Sequence, residues 1–280
     1  SKTFTVAKAE QTLTFPSVAN RAYVPEPFLP PSTTSSGLAV VFEVLSGPAV
    51  VEAGKIRLTG VGSVVLRATQ PGTADYNAAL PADRTFTVTQ GTQTLTFTPV
   101  GAKTYGDAPV TLSATSSAAL PVTYRVLSGP ATVSGAVLTL TGAGSVAVQA
   151  LQVGTDLYAA ASASQTIAVA KAAQTITFAS IPDQGYATND VSLSATASSG
   201  LPVAFRLVSG PAVVSGSALR LSGVGVVEVA ADQVGTANYL AAPSLTNRFT
   251  VARGTQVITF APIGDQVLGG GPLTLNAVVN

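Results

Sequence analysis

Cysteine, histidine, methionine and tryptophan are all missing from this chain of 280 residues. Without Cys and His the ordinary structural zinc site is impossible, and neither Cys–His nor Ser–His–Asp catalysis can be assembled. Charge is scarce as well: 10% of residues are charged, with 14 Lys and Arg against 13 Asp and Glu. The cations stand singly, so no basic stripe exists to displace phosphate counterions, and nucleic acid is excluded as a partner. No apolar run reaches the roughly 18 residues of a membrane-spanning helix, because Glu228 and Asp232 interrupt the most hydrophobic region. The carboxylates are dispersed without a D-x-D-x-D run, whereas Ca²⁺ wants about six to eight oxygens gathered together. No metal, cofactor or catalytic residue is therefore expected. With no nucleophile beside a base, the chain is not read as an enzyme.

What is present is apolar and periodic. Hydrophobic residues make up 46% of the chain, too many for disorder at so low a net charge. "VLSGPA" at Val44–Ala49 returns at Val126–Ala131 and again as "LVSGPA" at Leu207–Ala212. "QTLTF" begins at Gln11 and Gln93, "QTITF" at Gln174 and "QVITF" at Gln256, in steps of 82, 81 and 82. "GTADY", "GTDLY" and "GTANY" end at Tyr76, Tyr158 and Tyr239, and Phe4, Phe86, Ile167 and Phe249 keep the same register. These markers define a tandem array. It divides into residues 1–10, the last strand of a preceding repeat; repeats at 11–92, 93–173 and 174–255; and residues 256–280, the first strands of a following one.

Within a repeat, hydrophobicity alternates with period two. Val122, Tyr124 and Val126 alternate with Thr123, Arg125 and Leu127, in short Val- and Thr-rich runs bounded by Gly, Pro and Ser. The place of Arg125 is taken by Glu43 and Arg206, so it faces water. The neighbouring Phe42, Tyr124 and Phe205 stay aromatic and should face the core. Ser-Gly-Pro is expected to reverse the chain, since Gly reaches positive φ and Pro offers no ladder donor. The G-x-G at Gly60/Gly62, Gly142/Gly144 and Gly223/Gly225 is expected to be a hairpin turn, because no helix follows it to cradle a phosphate. About seven short strands in each repeat imply an all-β fold: tandem immunoglobulin-like antiparallel β-sandwiches in a linear array.

The ordered set "QTITF", "KTYGD", "LSATSSAALPVTY", "VLSGPATVSG", "LTGAGSVAV" and "GTxxY" resembles the bacterial Ig-like (MBG-type) repeats of very large secreted and surface proteins. The resemblance covers essentially the whole chain. It implies an extracellular or cell-surface stalk, adhesin or filament segment, and it carries over no catalytic or binding residue. The function expected is that of a structural spacer giving length and stiffness. The alternative is an adhesin module that recognises glycan or protein through loops of the first repeat. Partners would be neighbouring repeats of the same chain, and identical chains in a filament.

Aromatic residues are the first place to seek a ligand platform, but nearly all recur with the repeat. Phe42, Tyr124, Phe205, Tyr76, Tyr158 and Tyr239 are therefore assigned to the core rather than to a sugar-stacking surface, with loop anchoring through the hydroxyls as the alternative for the last three. Asp75 and Asp156, in the same loops, are expected to cap turns. One segment conflicts with the pattern: "PEPFLPPSTTSS" places Pro30 where Leu112 and Leu193 stand. The strand there should be shortened, bulged or displaced to an edge. Ordinary drift of the repeat accounts for the segment; the functional alternative is a candidate interaction loop of Pro25, Phe28, Leu29 and Pro30 that presents Phe28 and Leu29.

Overall fold

The computed structural model describes residues 2–187 and 189–279, and no helix occurs among them. The described residues fall into two compact units, one running up to 103 together with 107–169, the other comprising 104–106 together with 170 onward.

One strand pattern recurs along the chain. It opens with β1 (Leu13–Thr14), β2 (Arg21–Ala22), β3 (Thr33–Thr34), β4 (Val41–Ser46), β5 (Ala49–Glu52), β6 (Lys55–Leu58), β7 (Gly62–Thr69) and β8 (Ala82–Thr89). It returns as β9 (Leu95–Phe97), β10 (Lys103–Thr104), β11 (Val110–Thr111), β12 (Ala114–Ser116), β13 (Thr123–Ser128), β14 (Ala131–Ser134), β15 (Val137–Leu140), β16 (Gly144–Gln152) and β17 (Ala161–Ala170). The next round is β18 (Ile176–Phe178), β19 (Gln184–Gly185), β20 (Val191–Ser192), β21 (Ala195–Ala197), β22 (Ala204–Ser209), β23 (Ala212–Ser215), β24 (Ala218–Leu221), β25 (Gly225–Asp232) and β26 (Leu245–Ala252). β27 (Ile258–Phe260) and β28 (Ala277–Val279) form a closing two-stranded pair.

Pairing shows a four-stranded sheet in each round and, for the opposite layer, separate two- and three-stranded pieces. The four-stranded sheet has the order β2-β8-β7-β4, repeated as β19-β26-β25-β22. The opposite layer is built from β20-β24-β23 and β18-β21, matching β11-β15-β14 and β12-β9. All these pairs are antiparallel except β2 with β8 and β19 with β26, which are parallel. Lettered in chain order, this is A′-G-F-C against A-B-E-D, the strand division of an immunoglobulin sandwich. The fold is all-β, of tandem Ig-like sandwiches.

Each sandwich has its own core. Val64, Leu66, Phe86 and Val88 from β7 and β8 meet Ile56 and Leu58 from β6. Val146, Val148 and Ile167 meet Leu138 in the next, and Val227, Val229 and Phe249 meet Leu219 in the third. The alternation expected around Tyr124 holds: Phe42 is buried, Tyr124 and Phe205 are half-buried, and Glu43, Arg125 and Arg206 are exposed. Their rings pack on the aromatic of the first strand, with centroids 5.7 Å apart for Phe15–Phe42, 5.8 Å for Phe97–Tyr124 and 5.4 Å for Phe178–Phe205. Such pairs contribute about 0.5–1.5 kcal/mol beyond area burial.

One turn expectation is refined and another corrected. The strands flanking Ser-Gly-Pro do not pair with each other: β4 pairs with β7, whereas the following β5 pairs with β6. Ser-Gly-Pro is a corner at which the chain leaves one sheet for the other. The register slips between Val44 and Ser46, Val126 and Ser128, and Leu207 and Ser209, marking a bulge at each corner. Gly129 follows at φ +97, and a Cβ there would lie 2.7 Å from Val146 Cα, closer than real contacts allow. Likewise G-x-G is not a hairpin, because β6 and β7 lie in different sheets. The two crossings brace each other: the Thr59, Thr141 and Ser222 amides donate to the Pro48, Pro130 and Pro211 carbonyls at 2.8–2.9 Å.

The proline-rich segment of the first repeat keeps its register despite losing strand. Phe28 pairs with Ile56 as an isolated bridge, where Val110 pairs with Leu138 and Val191 with Leu219. Pro30 is buried in the place of Leu112 and Leu193. Those leucines donate their amides to Ala136 and Ser217 at 2.8 Å. Proline has no such proton, so the strand stops there.

Candidate functional site

The feature repeated most faithfully outside the cores is the "GTxxY" loop between the last two strands of each sandwich. Gly72, Gly154 and Gly235 turn it at φ between +80 and +88. The Thr73 amide donates to the Tyr76 carbonyl at 3.0 Å, Thr155 to Tyr158 at 2.8 Å and Thr236 to Tyr239 at 3.0 Å. Capping falls to the threonine hydroxyls, which accept from the amides of Asp75, Leu157 and Asn238 at 3.2 Å. The aspartates that the sequence suggested as caps do not serve this way: Asp75 contributes its carbonyl, bonded by the Ala9 amide at 2.8 Å. The tyrosines hold the loop through their backbone.

A buried polar cluster fixes this loop to the sandwich. Gln11, Gln70, Gln93, Gln152, Gln174 and Gln233 are the buried polar residues among those described, at 3–8% exposure. Gln93 Nε2 donates to Gln152 Oε1 at 2.6 Å and to the Ala159 carbonyl at 2.8 Å. Gln152 Oε1 also accepts the Gly154 amide at 2.5 Å, and Ser116 Oγ donates to Gln93 Oε1 at 2.6 Å. Gln11–Gln70 and Gln174–Gln233 repeat the pair at 2.8 Å. The serine shifts by two places: Ser36 and Ser199 serve the outer networks, but Ala118 stands at that position in the second, so Ser116 supplies the hydroxyl. No buried side-chain nitrogen or oxygen among the described residues is left unpartnered. A fully satisfied network rigidifies, where a half-satisfied one would cost stability.

These glutamines were not singled out from the sequence. The signal was available, since Gln opens every "Q-T-x-T-F" and precedes every x-G-T-x-x-Y.

The anchored loop also meets the chain segment that enters its sandwich. Within the first unit, the Gly91 amide donates to the Leu157 carbonyl at 2.8 Å, and the Ala159 amide donates to the Gly91 carbonyl at 2.9 Å. Gln90 Nε2 reaches the Thr155 carbonyl at 2.7 Å. Tyr23, just past β2, meets Tyr158 edge to face, centroids 5.4 Å apart at 88°. Within the second unit the arrangement recurs: Ala172 brackets Tyr239 through its backbone, and Tyr105 meets Tyr239 at 5.5 Å and 87°.

The candidate interaction loop is less open than its sequence suggested. Pro25 and Leu29 are exposed, and Leu29 lines a shallow groove of about 420 Å³ with Thr33, Leu38 and Phe42. Phe28 is not presented outward. Its ring packs edge-on against Phe86 with centroids 6.0 Å apart, and Arg21 covers its other side at 3.4 Å. Pro30 is buried. The structure thus packs a half-buried Phe28 against the core, buries Pro30 and leaves Pro25 and Leu29 at the surface.

Among the described residues no group of three or more His, Cys, Asp or Glu stands where it could hold a metal ion. The ion pairs Arg57–Glu52, Arg67–Asp83 and Arg206–Asp232 lie on exposed strand faces. Hydrogen bonding to Arg67 holds the Asp83 carboxyl below its usual range, and bonds first to Ser244 and then to Arg206 do the same for Asp232.

No family model matches the chain, and no curated protein matches it in sequence. Among solved structures it is similar to Drosophila N-cadherin EC1-4 at 12% identity, over 88% of this chain and 75% of that one, with a TM-score of 0.29. An I-band fragment of titin is similar at 12% identity over 89% and 100%, with a TM-score of 0.31. Surface layer protein SbsC, domains 1-6, is similar at 14% identity over 89% and 41%, with a TM-score of 0.30. At such scores the assignment of Ig-like sandwiches rests on the strand order above.

Proposed function

We propose that this chain is a structural spacer, a segment of an array of Ig-like repeats in a large extracellular or surface protein of the bacterial type its motifs resemble. The observation that carries this reading is the parallel pairing of β2 with β8 and of β19 with β26. A sandwich is entered beside the first of these strands and left through the second. Tension along the chain therefore slides parallel neighbours past each other and loads their hydrogen bonds together rather than one by one. The buried polar side chains among the described residues go into fixing each repeat's own loop.

Repeat boundaries at 11–92, 93–173 and 174–255 follow from the same reading, with 1–10 and 256–280 belonging to flanking repeats. Support comes from burial at equivalent places. Phe86 and Phe249 are 2% and 3% exposed but Phe4 is 87%, and Leu193 is 4% exposed but Leu275 is 59%. Phe86, Phe249 and Leu193 are covered by the other strands of their own sandwiches.

The groove beside Leu29 favours a second reading, adhesion through the first repeat. A glycan array and a cell-binding assay on the full chain separate the two. The spacer account expects no binding above background. Saturable binding lost on Leu29→Asp would replace it with the adhesin account.

A further inference from the structure

We propose that Tyr186, Gly254 and the groove beside them form a socket for the tyrosine of a Gly-Thr-x-x-Tyr loop on a further repeat. This rests on the reading of the chain as part of an array, and it names the contact by which one repeat receives the next. Tyr23, Tyr105 and Tyr186 occupy one backbone seat. Their amides donate to the carbonyls of Thr89, Ala170 and Ala252 at 2.8, 2.9 and 2.8 Å. Two of the three rings are met edge-on by a loop tyrosine, at 5.4 Å and 88° and at 5.5 Å and 87°. Tyr186 stands 42% exposed beside a groove of about 720 Å³ lined by Ala187, Val224, Arg253, Gly254 and Gln256.

The backbone beside the socket repeats as well. Gly254 falls in register with Gly91 and Ala172, which bracket the loop tyrosine by accepting one amide and donating another. At Gly91 an added Cβ would meet the Tyr158 ring at 3.2 Å. At Gly254 a Cβ would meet the Tyr186 carbonyl at 2.7 Å, so the small residue keeps this approach open.

The occupant is a loop of a repeat entered through Gly254, rather than the Tyr76 loop of a second copy. In such a copy Ala9 already holds the bracketing place, with its amide on the Asp75 carbonyl at 2.8 Å and its carbonyl taking the Asn77 amide at 2.9 Å. Gly254 could take that place only by displacing Ala9.

The test lengthens the full chain in register, adding a second copy of residues 199–255 after residue 280. Tyrosine-ring NMR then reads the contact, with the Tyr23–Tyr158 pair as the internal reference. The expected result is ring-to-ring cross-peaks between Tyr186 and the appended copy of Tyr239, upfield shifts like those of the reference pair, and loss of both in Tyr186→Ala. If the appended repeat folds but Tyr186 keeps the shifts of the unlengthened chain, the socket is overturned while the array reading stands. If the appended segment stays unfolded, the array reading falls and takes the socket with it. Concentration-dependent association of the unlengthened chain, abolished by Tyr76→Ala, would overturn the choice of occupant.

Discussion

Replacing Gln152 by Leu tests whether the buried glutamine pair is what fixes the tyrosine loop. The side chain is 5% exposed and of similar size to leucine, so the change removes hydrogen bonds without opening a cavity. Two donors lose Gln152 Oε1. Gln93 Nε2 keeps the Ala159 carbonyl, but the Gly154 amide loses the acceptor that turns the loop. One orphaned buried donor costs about 1–3 kcal/mol and one lost net hydrogen bond about 1, giving a destabilisation of about 2–4 kcal/mol. Urea unfolding measures the stability, and hydrogen exchange at Gly154 reports where it was lost. Gln93→Leu and the double variant complete a cycle in which the double change costs less than the sum by about 1 kcal/mol, because the two amides share one bond. A single variant within about 0.5 kcal/mol of the parent, the range of surface substitutions, would refute the argument.

Three further outcomes follow from named contacts. Gly129→Ala should destabilise by about 3 kcal/mol or more, since it adds a backbone clash to a positive φ; Gly135→Ala, at φ +58 with open space around it, should cost only about 1–2 kcal/mol; equal unfolding midpoints would contradict the corner. Phe28→Ala, which removes a half-buried ring packed on Phe86, should cost about 1.5–3 kcal/mol, while Leu29→Ala, at 64% exposure, stays near neutral in the same melt. The folded pKa values of Asp83 and Asp232 are depressed, so their contribution is present above the unfolded value near 3.9 and fades as pH falls through the lower folded one. Because Asp83 is exposed and Asp232 only half-buried the loss is small, and Asp83→Asn with Asp232→Asn should flatten the acid limb of a urea-midpoint titration; an unchanged limb would rule out any contribution from these carboxylates and their Arg67, Ser244 and Arg206 partners.

The strand alternation at Val122–Leu127 and the inward aromatics were legible because period two is a local property of the chain. Where each strand goes next was not. Gly and Pro at Ser46–Ala49 mark a sharp bend, but a hairpin and a sheet-switching corner demand the same φ values, and only the pairing of β5 with β6 distinguishes them. Phe28 misled for a related reason. It has no aromatic counterpart in the other repeats, yet it holds the ladder place of Val110 and Val191, and a larger side chain there compensates for a shorter strand. The glutamine pair escaped notice because an isolated polar residue at a strand entrance reads as solvated. Its partner lies 59 residues away, and no local pattern joins them.

If the chain bears load through equivalent sandwiches, single-molecule stretching of the full chain between its ends will unfold them one at a time. At ~3.6 Å per extended residue, a repeat of 82 residues less its folded length releases about 25 nm. Three separate unfolding events of that size at similar force are expected. One continuous low-force extension, or a single event spanning the chain, would contradict load-bearing by equivalent sandwiches.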